Sequence, residues 1–116
     1  MNDMIFDNYQ NLVNECLIRH NNILDILTKF SETNSRINRA VVKSINNCGC
    51  IKIDSNTTIN TSSCKPCDIC RNTIEKELGN NLFYLASMCN LLDINLYDVL
   101  INEYNKMNML GKFNIQ

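Results

Sequence analysis

The chain has few of the residues that make tight turns. Three glycines and one proline in 116 residues are too few for an all-β fold and favour helices. Tryptophan is absent, and the one histidine, His20, has no second His or acid at ligand spacing. It therefore reads as a surface residue rather than a ligand. Neither sign of charge dominates, and a formal net charge of −1 provides no global field for nucleic acid. No apolar run approaches the ~20 residues of a membrane span. The N-terminal Met-Asn-Asp-Met-Ile-Phe-Asp is acidic and lacks the apolar region of a secretory signal. A cytoplasmic location is expected, where thiols are kept reduced.

Against these absences stand seven cysteines, five of them between Cys48 and Cys70. This window has no apolar face able to fold by itself. Cys48-x-Cys50 and Cys67-x-x-Cys70 are short-spaced pairs, and a short loop lets both sulfurs of a pair reach one ion. Two pairs complete a tetrahedral zinc site, with Cys64 as a spare thiol or an alternative ligand. Free buried thiols and disulfides are the competing readings of the same spacing. Cys64, Cys67 and Cys70 also stand at a spacing used by iron–sulfur clusters. A zinc ribbon that binds nucleic acid is disfavoured, because no basic and aromatic patch lies beside the cysteines.

The rest of the chain carries helical periodicity. Apolar positions recur from about Ile5 to Phe30, with Cys16 in the stripe as a buried thiol. Ser31-Glu-Thr-Asn34 reads as a helix start, opening a second helix over about Thr33–Asn46. Its inward face is Ile37, Ala40, Val41, Ser44 and Ile45, and another face carries Arg36, Arg39 and Lys43. That basic stripe is a solvated face or an anion contact. Gly49 terminates the helix. Ile51–Asp54 and Thr57–Thr61 alternate as a short hairpin would. Pro66 leads into a third helix over about Asp68–Leu92, in which Asn81 is the odd polar member of an apolar sector. The same sector includes Cys89, expected as a second buried thiol. Gly79 costs about 1 kcal/mol there relative to alanine, which close packing would explain. Asn95 caps a fourth helix, about Leu96–Met109, ended by Gly111. The expected fold class is all-α: a four-helix bundle in a single domain, residues 1–116, with the cysteine-rich segment 48–70 between helices 2 and 3. Helices apolar on more than one sector in so small a chain leave surface that a second copy would cover, so a homodimer is expected.

Within the last two helices, Glu75-Lys-Glu77-Leu78-Gly79-Asn80-Asn81-Leu-Phe-Tyr84-Leu-Ala86, followed by Leu92-Asp-Ile94-Asn-Leu96, resembles the MazG-like all-α nucleoside triphosphate pyrophosphohydrolases. The resemblance covers about residues 74–108. It implies a helical, often oligomeric protein that holds Mg²⁺ on carboxylates from two helices and cleaves a nucleotide to monophosphate and pyrophosphate. Carried over to this chain, the candidate catalytic residues are Glu75, Glu77 and Asn80. The family's Glu-x-x-Asp reads Glu77-Leu-Gly-Asn80 here, with an amide in place of the second carboxylate. The earlier Glu-x-x-Glu is replaced by Arg36, Arg39 and Lys43. These substitutions predict a catalytically degenerate member. Its cations either pair with Glu75 and Glu77 or hold a nucleotide's phosphates without magnesium.

Overall fold

The computed structural model describes residues 2–16, 22–53 and 65–114. They form an all-α chain of four helices: α1 (Asn2–Cys16), α2 (Ile23–Lys43), α3 (Asp68–Leu91) and α4 (Leu96–Asn114). A π-helical turn, Ser44–Cys48, continues α2. No strand occurs among the described residues. His20, Cys64 and most of the expected hairpin lie outside them. No helix among them is long and apolar enough to cross a membrane.

The helix boundaries differ from the expected ones for identifiable reasons. The apolar stretch from Ile5 to Phe30 is divided between α1 and α2. Asn22 is the start signal of α2, its Oδ1 accepting the Leu24 N–H at 2.8 Å. Ser31–Asn34, with its cap-like composition, lies inside α2. Its polar groups are used elsewhere: Thr33 is buried, and its hydroxyl donates to the Phe30 carbonyl. Asn81 of α3 donates to Thr33 Oγ1 at 3.0 Å and to Asn34 Oδ1 at 2.6 Å. The odd polar residue of α3 and the false start signal of α2 are thus two halves of one contact. At the other end of the chain, α4 runs through Gly111 to Asn114.

The chain divides into two compact units, Met1–Leu27 with Phe83–Gln116, and Thr28–Leu82. The first has the larger core: Val13, Ile26, Ala86, Cys89 and Leu96, with Phe6, Tyr9, Phe83 and Met88 packed against them. Here α1 packs on α4, with the rings of Phe6 and Tyr97 6.1 Å apart. Cys89 is buried as expected, but Cys16 is exposed. The inward stripe of α1 is Phe6, Tyr9, Gln10 and Val13, and Cys16, the last residue of that helix, is left uncovered. On α3, the small residues Ala86 and Ser87 are fully buried while Leu78 and Leu82 are exposed. Ser87 satisfies its hydroxyl on the Phe83 carbonyl one turn back.

Gln10, only 6 % exposed, clasps this unit together. Its amide nitrogen donates to Asn90 Oδ1 and to the Ile94 carbonyl, both at 3.0 Å, and its oxygen accepts the Leu96 N–H. Asn90 returns a bond to the Gln10 carbonyl. The reversal between α3 and α4 uses Asp93 at φ 56°. Asn95 caps α4 as expected, accepting the Asp98 N–H at 2.9 Å.

In the second unit α2 and α3 run antiparallel. Thr33 meets Asn81 at one end, and Cys48 meets Cys67 at the other. The only buried apolar residue here, among those described, is Ile51. An added Cβ at Gly79 would meet nothing within 4 Å, so packing in the chain does not require that glycine.

Candidate metal centre

Two pieces of local structure bring the cysteine pairs together. The first is the end of α2. Ser44 is buried, with its hydroxyl on the Ala40 carbonyl. The π-helical turn then runs to Cys48, and Gly49 adopts φ 78°. An L side chain is strained at that dihedral, so glycine suits the reversal. The chain folds back so that the Ser44 carbonyl accepts the Ile51 N–H at 3.2 Å and the Cys50 thiol at 3.7 Å. Lys52 closes the loop from outside by donating to the Gly49 carbonyl. The second piece is the start of α3. Cys67 occupies its N-cap, with its carbonyl accepting the Arg71 N–H at 2.8 Å, and Cys70 lies within the first turn.

The sulfurs of Cys48, Cys50, Cys67 and Cys70 all lie within 4.8 Å of one another. Cys48 and Cys67, from the two opposing pieces, are 3.8 Å apart. Four thiolates at ~2.3 Å from a tetrahedral ion would stand about 3.8 Å from each other. That separation is well beyond a disulfide bond of ~2.05 Å, and the described cysteines are free thiols. A cluster of several irons would hold its thiolates further apart than a single ion does. The donor set therefore fits one soft cation. Among the described residues, this is the only group of three or more His, Cys, Asp or Glu side chains whose ligand atoms converge.

Electrostatics within the group point the same way. The backbone N–H of Cys70 at the helix N-terminus pulls the Cys67 thiol down to about 7. The neighbouring thiols, that of Cys67 first, push Cys48 up to about 12. The Ser44 hydroxyl pulls Cys70 down, but Cys50 and Cys67 outweigh it and the net shift is upward. Four thiols this close cannot all ionise alone, whereas a divalent cation among them reverses the balance.

The other candidate residues fall into two places. Arg36, Arg39, Lys43 and Glu77 line one cleft. Glu75 lines a different cavity, beside Val41, Ile74 and Leu78. Two positions on a helix turn a side chain by roughly 200°, so Glu75 and Glu77 do not converge. Glu77 makes no ion pair with the three cations; it accepts a long bond, 3.5 Å, from Asn80 Nδ2. Arg36 instead pairs with Glu32 at 3.8 Å. Cys64, the alternative ligand, is not among the described residues. Helical spacing places Ser44 on the inward face of the expected second helix, and it is buried, but its part in the site carries no motif signal because it is neither charged nor a ligand type. Its buried position and its carbonyl anchor the loop that presents Cys50. The chain matches no protein-family model, no curated protein and no solved structure.

Proposed function

We propose that the chain is a helical binding or assembly protein, held together at one end by a structural Zn²⁺ on Cys48, Cys50, Cys67 and Cys70. The supporting observation is the convergence of four thiols within 4.8 Å. Four protein thiolates fill a tetrahedral zinc ion and leave no open position for water or substrate, which is the mark of a structural rather than a catalytic site. The ion would clip the end of α2 to the start of α3, where the unit has little apolar core. Metal analysis of anaerobically purified protein tests this. One zinc per chain in a colourless protein is expected. Visible iron–sulfur absorption, or metal-free protein with all thiols titratable, overturns it.

The MazG-like resemblance stays with this reading as a family proposal, for a cytoplasmic protein that does not hydrolyse nucleotides. Magnesium needs converging oxygen ligands, and Glu75 and Glu77 line separate cavities. The reading predicts no Mg²⁺- or Mn²⁺-dependent release of pyrophosphate from a nucleotide panel. Turnover that vanishes in Glu77→Gln would identify a divergent pyrophosphohydrolase instead. The assembly we propose is a homodimer. Leu100, Tyr104, Met107 and Leu110 are exposed at helical spacing along α4, an apolar stripe that a second copy would cover. Sedimentation that gives a monomer at every accessible concentration refutes it.

A further inference from the structure

The antiparallel pair of α2 and α3 has two unlike flanks. One is an apolar cavity of about 500 Å³ lined by residues such as Val41, Ile45, Ile51 and Ile74. The other is a cleft of about 220 Å³ lined by Arg36, Arg39, Ala40, Lys43, Thr73 and Glu77. It holds three cations and one carboxylate, a local excess of two positive charges in a chain whose formal net charge is −1. Arg36, Arg39 and Lys43 share one face because they recur at three- and four-residue intervals. Ala40, between them, leaves the floor of the cleft open.

The cations are not consumed by the protein itself. Arg36 has one long, half-exposed ion pair with Glu32 at 3.8 Å, a contact of small energy. The side chains of Arg39 and Lys43 have no ion pair or hydrogen bond among the described residues. Glu77 faces the same cleft without reaching any of the three cations within ion-pair distance.

We propose that this cleft binds a small oxyanion with two or more charged centres, such as a diphosphate, without a bridging metal ion. Arg36 and Lys43 are separated by two helical turns, a rise of about 10 Å. A row of cations along that length suits an extended anion better than a single phosphate. Guanidinium groups match phosphoryl oxygens through paired N–H donors, and Lys43 adds a point charge at the end nearer the cysteines. Glu77 acts against the anion, so it limits affinity and rejects weakly charged ligands.

Calorimetric titration of the metal-loaded full chain with inorganic pyrophosphate, inorganic phosphate and citrate tests the proposal. The expected result is saturable binding of pyrophosphate, tighter than that of phosphate, without added Mg²⁺. Citrate binding as tightly as pyrophosphate would support the same site with polycarboxylate as the source of the charge. Arg39→Ala should weaken pyrophosphate about tenfold. Glu77→Gln should tighten it about threefold, a gain that damage to the fold would not produce. The row of cations has a rival purpose, which is to offset the negative charge of a zinc–tetrathiolate centre. In that case Arg39→Ala or Lys43→Ala would lower zinc retention and leave pyrophosphate binding unchanged, and the proposal fails. It also fails if no probe saturates.

Discussion

Stripping the metal should melt the cysteine end of the α2–α3 pair and leave the α1–α4 unit folded. Cys48 and Cys67 are 19 residues apart in the chain. Releasing a bridge across a loop of that length returns about 11 cal/mol/K to the unfolded chain, or about 3 kcal/mol at 25 °C. Little else in this unit offsets the loss, since Ile51 is its one buried apolar residue among those described, at 8 % exposure. A loss of that size corresponds to a fall in Tm on the order of 10–20 °C. The assay compares zinc-loaded protein with protein stripped by a chelator under reducing conditions, by urea unfolding and by amide exchange. The Ile51 N–H on the Ser44 carbonyl and the Arg71 N–H on the Cys67 carbonyl should lose protection. The Leu96 N–H, held by Gln10, should keep it. Unfolding curves that coincide within about 0.5 kcal/mol would contradict a stabilising bridge. Equal loss of protection in both units would contradict a local one.

Four further outcomes are expected. Gln10→Ala should destabilise the protein by about 2–3 kcal/mol in urea unfolding, because it leaves the buried Leu96 N–H without its acceptor and Asn90 Oδ1 without its donor. Gly79→Ala should raise stability by up to about 1 kcal/mol, since the added methyl meets open space; a weakened dimer in that variant would instead place Gly79 in the interface. Cys16, exposed, should react quickly with a thiol reagent, and Cys89, buried, slowly. Burial raises the Cys89 thiol above its ordinary 9.0, so above about pH 9 the unfolded chain loses that proton first. Cys89 then contributes a fall in stability as pH rises, which should diminish in Cys89→Ala when unfolding is followed from pH 8 to pH 10.

Composition and local spacing decide the class of the fold and the cysteines able to share one ion. Scarce glycine and proline together with helical periodicity leave little besides helices. The pairs Cys48–Cys50 and Cys67–Cys70 are local, so their spacing alone says that each can reach one ion. Gly49 and Asn95 were equally legible, because a left-handed residue and an N-cap act within a few positions of themselves. The tertiary structure decided the matters that depend on distant partners. Ser31–Asn34 has the composition of a cap, and only the approach of Asn81, 47 and more residues away, makes its polar groups compatible with a helix interior. Gln10 looks like any surface glutamine until Asn90, Ile94 and Leu96 surround it. Cys16 lies on an apolar stripe but at the last turn of α1, and burial depends on what covers a position rather than on its period. The meeting of the two cysteine pairs was also a tertiary event. It required the π-helical turn, the left-handed Gly49 and the antiparallel return of α3, and no spacing rule counts across a return of that kind.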